Sequence, residues 1–291
     1  MAISLATIAA SALPLPWKLR LLRLAAVRCA DHDERLATWA RNHPAIATGT
    51  DWCRRLWWGA AAGEIVRDCL YDPRRQATAL RLVDSPDWSV LDAAAARGGV
   101  IVAAMHLGPP KVLMNLLLEP RRSLLIWTNT RDLPGWLADR HPDAFLDPLL
   151  ADQRAVLLVK SAMQLRKGGL LLGAADEATG ERTVAIERLG RTWRFSLGLP
   201  ALARRLDVPV VLAMALWRGE RIRVVCRPLP PPDHGLADDE WNRAWCERSC
   251  DLVEDVVRHE PENLRFLRRI VPRIAPPWQE NPPAGGGVQT G

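Results

Sequence analysis

The sequence predicts an α/β fold, a largely parallel sheet flanked by helices with a helical section at its N-terminal side. Two observations carry this. Short apolar runs closed off by glycine, proline or polar breakers recur along the chain, and runs of that kind mark strands buried on both faces. Segments of helical period separate them, and alternation of strands with helices is the pattern of parallel α/β sheets. At 291 residues and 48% hydrophobic content, the chain is long enough to bury one large core.

The elements follow in order. The first 16 residues are apolar but broken at Pro14 and Pro16, short of the ~20 residues a membrane-spanning helix requires. From Trp17 to Arg28, Arg20 and Arg23 stand beside Leu21, Leu22 and Leu24. As a helix this stretch is basic and amphipathic, and it suits either the headgroup layer of a bilayer or the surface of the domain behind it. The pattern from Asp33 to Tyr71 is helical, with Thr50-Asp51 placed to cap the Trp52, Cys53, Leu56, Trp57 face. A further helix is expected to start with Ser85 as cap and Pro86 in the first turn, and to end at Gly98-Gly99.

Val100 to Met105 then reads as a buried strand that stops at His106, and a helix runs on to Leu118. Further buried strands are expected at Leu124 to Trp127, Ala155 to Val159 and Leu170 to Ala174. Val208 to Trp217 and Arg221 to Arg227, joined by Arg218-Gly219-Glu220, read as a hairpin, and a long helix follows from about Asp239 to Arg258. The division expected is a membrane-association segment over 1–30, a single α/β domain over 31–275, and a loose Pro/Gly-rich tail over 276–291.

Composition narrows the function. Lys+Arg is 39 against Asp+Glu 33, a net charge of +6, which favours phosphates or an anionic bilayer as partners. Thirteen residues are Trp, against one Tyr and three Phe, and Trp is favoured where hydrocarbon meets water. A nucleic-acid binder is the weakest reading, since neither stacking aromatics of the RNP type nor a zinc knuckle nor a concentrated basic block is present. The six cysteines lack paired CxxC knuckles and are read as reduced thiols. Cys246 and Cys250 lie four apart, on one helix face, and read as a packed apolar pair ahead of half a metal site.

The candidate site follows from topology. In open α/β sheets ligands gather at the carboxyl ends of strands, so His106, directly after a buried strand, is well located. Gly108 gives the following turn its freedom, and Pro109-Pro110 can open a helix. A neutral imidazole here can take a proton from a hydroxyl. The other histidines, His32, His43, His141, His234 and His259, sit in polar or Pro-adjacent stretches and carry no assigned chemistry.

With gaps, the stretch from Leu36 to Arg273 resembles the bacterial lipid A lauroyl/myristoyl acyltransferases of the lysophospholipid acyltransferase superfamily. Gly98 to Gly108 is similar to that family's strand and His-Phe-Gly-Asn-Trp-Glu motif, and Leu165-Arg166-Lys167-Gly168 to its Leu-Arg-x-Gly strand. Asp176-Glu177 fall where the family has Asp-Gln. Leu189-Gly190-Arg191 with Ser196-Leu197-Gly198, then Leu202 to Arg205 with Val208 to Val211, continue the likeness, and His259 to Leu264 resembles its closing His-Pro-Glu-Gln-Trp. The resemblance implies a glycerol-phosphate acyltransferase-like fold. It also implies a peripheral enzyme at the cytoplasmic face of the bacterial inner membrane, which transfers a fatty acyl group from an acyl-carrier-protein or coenzyme A thioester to a lipid or glycolipid acceptor. In such enzymes the His is a general base oriented by an acidic residue five positions later; no metal or other cofactor is required.

Here the fifth residue after His106 is Lys111. An ammonium cannot accept the imidazole N–H, and its charge opposes formation of an imidazolium. Either another carboxylate serves, Asp176 or Glu177 ahead of the more distant Glu119, or the chain is a non-catalytic homologue that binds acyl groups or a partner enzyme. Lys111, Arg131, Lys160 and Arg191 are candidates for substrate phosphate or pantetheine groups, the last three because they stand near expected strand ends. Gly108 and Ser196 complete the candidate substrate contacts, with Ser196 alternatively a helix cap.

Overall fold

The computed structural model describes residues 12–264 except 32–33, 35–36, 39–40, 42–49, 119–122, 149–153, 177–182 and 189–190. Eight strands are described: β1 (Val100–Ala104), β2 (Leu124–Trp127), β3 (Phe145–Leu146), β4 (Leu170–Ala174), β5 (Thr183–Arg188), β6 (Arg191–Ser196), β7 (Val210–Arg218) and β8 (Arg221–Leu229). Six of them form one sheet in the order β3-β2-β4-β1-β7-β8, parallel except for the β7–β8 hairpin. β5 and β6 pair separately as an antiparallel hairpin. The helices whose limits are described are α1 (Leu15–Asp31), α2 (Thr50–Leu70), α3 (Gln76–Leu80), α4 (Ser89–Ala95), α5 (Pro110–Leu117), α6 (Gly135–Arg140), α7 (Arg154–Arg166), α8 (Gly198–Leu206) and α9 (Asp238–His259).

Period-two alternation divides the strand side chains between two cores. Ile101, Ala103 and Met105 of the first strand segment, with Leu171, Leu212, Met214 and Leu216, pack under α7, α8, α9 and the β5–β6 hairpin. Val100, Val102, Leu170, Leu172, Val211 and Ala213 pack under α1, α4 and α5 on the other face. Helix α2 serves both, through Trp52 and Leu56 on one core and Trp58, Ile65 and Val66 on the other. Trp58 meets Trp217 edge to face at 5.1 Å, a geometry worth about 1 kcal/mol beyond its burial.

Helix α1 buries Leu15, Leu19, Leu22 and Ala26 and leaves Trp17 and Leu24 outward. It is the first packed helix among the described residues and keeps an apolar outer face as well. Helix α9 begins with Asp238, Asp239 and Glu240 and ends with Arg258 and His259, each group matched to the dipole end it occupies. Cys246 and Cys250 lie in its buried face as packed thiols.

Three expectations are corrected. Ala155 to Val159 is the first half of helix α7, because Leu157, Ser161 and Leu165, spaced by four, form its buried side. A short apolar run does not distinguish strand from helix by itself. The helix expected from Ser85 and Pro86 starts at Ser89, whose N–H the Asp87 carboxylate accepts at 2.9 Å. Ser196 ends β6 opposite Thr183, and the capping position of α8 belongs to Leu197, so Ser196 is not the cap.

Candidate functional site

Strands β1 and β4 are neighbours whose connections leave in opposite directions. The chain passes from β1 through α5 to β2 beyond β4, and from β4 through α8 to β7 on the far side of β1. A crevice at the carboxyl ends of such a strand pair is the preferred ligand position in open α/β sheets. His106 follows β1 and Asp176 follows β4, so both stand at that crevice.

The two are joined directly. His106 Nδ1 lies 2.7 Å from Asp176 Oδ1. The backbone N–H of His106 donates to the same carboxylate, 3.0 Å from Oδ1 and 3.1 Å from Oδ2. An ionised carboxylate only accepts, so against ionised Asp176 the ring donates through Nδ1–H, and in a neutral imidazole the lone pair is then on Nε2. The Asp176 side chain is only 4% exposed and that of His106 18%. The carboxylate is shielded, therefore, while the ring retains an opening to solvent.

The loop after His106 is held against the end of β7. Gly108 has φ +57°, and a Cβ added to it would stand 2.1 Å from the Ala215 carbonyl oxygen, so only glycine fits. Its N–H donates to the Asn263 carbonyl at 2.7 Å, and Leu107 bridges Leu264. Asn263 is fully buried. Its Oδ1 accepts the Trp217 N–H at 2.6 Å, and its Nδ2 donates to Glu260 at 2.9 Å. Glu262 receives Arg55 of α2 through two bonds of 2.9 Å, and Glu260 receives Arg223. Gly59 lets α2 close on this turn, since a Cβ there would overlap the Glu262 backbone. Nothing in the sequence marks Asn263 as a site residue beyond its place in the His259 to Leu264 segment.

The other candidates are distributed differently. Lys111, in the first turn of α5, places its ammonium 6.0 Å from the Tyr71 ring centroid, and its carbonyl accepts from Asn115. Arg131 is exposed in the 3-10 turn after β2, with its N–H bonded to Asn129 Oδ1. Lys160 is exposed on α7 and so not at a strand end. Arg191 opens β6 opposite Arg188, and Ser196 is half-buried at the strand's close. Glu119 and Glu177 lie outside the described residues. Asp147, buried after β3, accepts from both N–H and Oγ1 of Thr130, which ties the ends of β2 and β3 together.

No family model matches the chain. It is similar to the Vi polysaccharide export protein VexE of Salmonella typhi, 25% identical over 74% of this chain and 33% of that protein. The chain therefore spans about a third of the length of that relative. Among the described residues no helix is long and apolar enough to cross a membrane.

Proposed function

We propose that the chain is a membrane-associated acyltransferase that moves a fatty acyl group from a thioester of acyl-carrier protein or coenzyme A to a hydroxyl or amine of a lipid or glycolipid. The observation that carries this reading is the His106–Asp176 pair at the carboxyl ends of β1 and β4. His106 Nε2 takes the acceptor's proton as its oxygen or nitrogen attacks the thioester carbonyl carbon. The C–S bond then breaks, the imidazolium returns the proton to the leaving sulfur, and a free thiol and an ester or amide result. Asp176 holds the ring in the reactive tautomer and stabilises the imidazolium. The ordered motif resemblance from Leu36 to Arg273 supports the chemistry. The likeness to a protein named for polysaccharide export makes a glycolipid the first acceptor to test.

The test is thiol release from medium-chain acyl thioesters by the purified protein in the presence of acceptor. Turnover is expected, and His106→Ala is expected to abolish it; full turnover in that variant removes His106 as the base. A second reading, a non-catalytic homologue, draws on Lys111. It predicts acyl-thioester binding with no thiol release by the unmodified protein.

A further inference from the structure

Helix α7 is apolar on the wrong side for a helix that only packs on a sheet. Its buried face is Leu157, Ser161 and Leu165, yet Val156, Leu158, Val159 and Met163 are 46–58% exposed. Val156, Val159, Lys160, Met163 and Lys167 follow the spacing i, i+3, i+4, i+7, i+11 of a single outer stripe. Arg166 and Lys167 are exposed at its end, and no acidic residue occurs between Arg154 and Lys167. Helix α1 repeats this composition. Trp17, Leu24 and Val27 are exposed among Arg20, Arg23 and Arg28, and the first acidic residue is Asp31.

The N-terminal half of the α7 stripe stands at the edge of the sheet that holds His106. The Trp127 indole N–H, at the carboxyl end of β2, donates to Ser161 in the middle of α7 at 2.9 Å. Helix α7 feeds β4 through the turn at Lys167–Gly169, with Gly169 N–H bonded to Gln164. Its thirteen residues rise about 20 Å, against about 16 Å for five residues of β4. Val156, Leu158 and Val159 therefore lie toward the carboxyl edge of the strands. Helix α1 lies on the opposite face of the sheet, where Arg20 pairs with Glu220 in the turn that follows β7, so its outer stripe is not part of the same surface.

We propose that the outer stripe of α7 is a docking surface for an anionic lipid bilayer, with its N-terminal half beside the edge that carries His106 and Asp176. Exposed apolar side chains interleaved with cations are the composition of helices lying in the headgroup layer, and the absence of acids on the stripe matches an anionic surface. This inference refines the membrane association in the proposed function, but binding is read without turnover, so the two fail separately.

The experiment is co-sedimentation of the full chain with vesicles of phosphatidylcholine alone or with phosphatidylglycerol added. Salt-sensitive binding to the anionic vesicles is expected. It should weaken by about tenfold or more in Val156→Ser/Val159→Ser/Met163→Ser, and by about tenfold in Lys160→Glu. These positions are exposed, and an unchanged thermal midpoint confirms that each variant is folded. His106→Ala is expected to bind like the unmodified chain. Unaltered vesicle binding in the α7 variants overturns the proposal. So does a monomer–dimer equilibrium that those variants abolish, which assigns the stripe to a second copy, and so does preferential binding to an acidic carrier protein over vesicles.

Discussion

Replacing Gly108 with alanine tests the loop geometry behind the site without requiring a known substrate. The left-handed conformation at φ +57° costs an L-residue about 1–2 kcal/mol. The new methyl must also clear a carbonyl oxygen that the ideal Cβ approaches to 2.1 Å, and overpacking of this kind costs about 1–3 kcal/mol. Displacing the loop endangers the 2.7 Å bond from Gly108 N–H to Asn263, worth about 1 kcal/mol. The total is roughly 3–6 kcal/mol, a large part of the 5–15 kcal/mol typical of a folded protein.

Gly219 supplies the control, because it shares the conformation at φ +62° and has nothing within 4 Å of an added Cβ. Gly219→Ala is expected to lose only the conformational part. Urea unfolding followed by circular dichroism should therefore place Gly108→Ala about 2–4 kcal/mol below Gly219→Ala, which corresponds to roughly 3–7 °C in thermal midpoint for a chain of 291 residues. Equal losses in the two variants would refute the claim that the loop is wedged against β7.

Asp176→Asn is expected to reduce thiol release by about 10³–10⁴-fold, since the corresponding change in a serine protease costs about 10⁴; equilibrium binding of the acyl thioester should persist. Lys111→Glu is expected to leave thiol release no higher than in the unmodified chain, because Asp176 already occupies Nδ1. Asn263→Ala strips the buried Trp217 N–H of its acceptor and should lower stability by about 2–4 kcal/mol in urea titration. Burial pushes the Cys246 thiol well above its ordinary value of 9.0. Its contribution to stability is then complete below pH 9.0 and falls as pH rises above it, where only the unfolded thiol ionises. In maleimide labelling at neutral pH, Cys29 should react in the native protein and Cys246 only on unfolding.

The sheet strands nearest the site were legible because burial on both faces removes polar alternation. β2 and β4 match their expected limits, and β1 ends one residue before the expected Met105. What a linear reading does not contain is the pairing of β1 with β4, which brings His106 to a carboxylate 70 residues away. Lys111 therefore looked like the loss of the orienting acid, while the acceptor stood on the neighbouring strand. Helix α7 resembles a strand in the sequence for a related physical cause. Ala155 to Val159 is continuously apolar because α7 carries hydrophobic side chains on its outer as well as its inner side. The five-residue α3 and two-residue β3 are too short for any periodicity and owe their form to tertiary packing.

The turn from Glu260 to Leu264 has a temporal consequence. A nascent chain already contains His106 and Asp176 long before Asn263 leaves the ribosome, yet nothing before that point supplies the partner for Gly108 N–H or the bridge to Leu107. The loop that follows His106 is thus fixed only once residues 260–264 have been made and have closed on it, after the strands that present His106 and Asp176 are already available to pair.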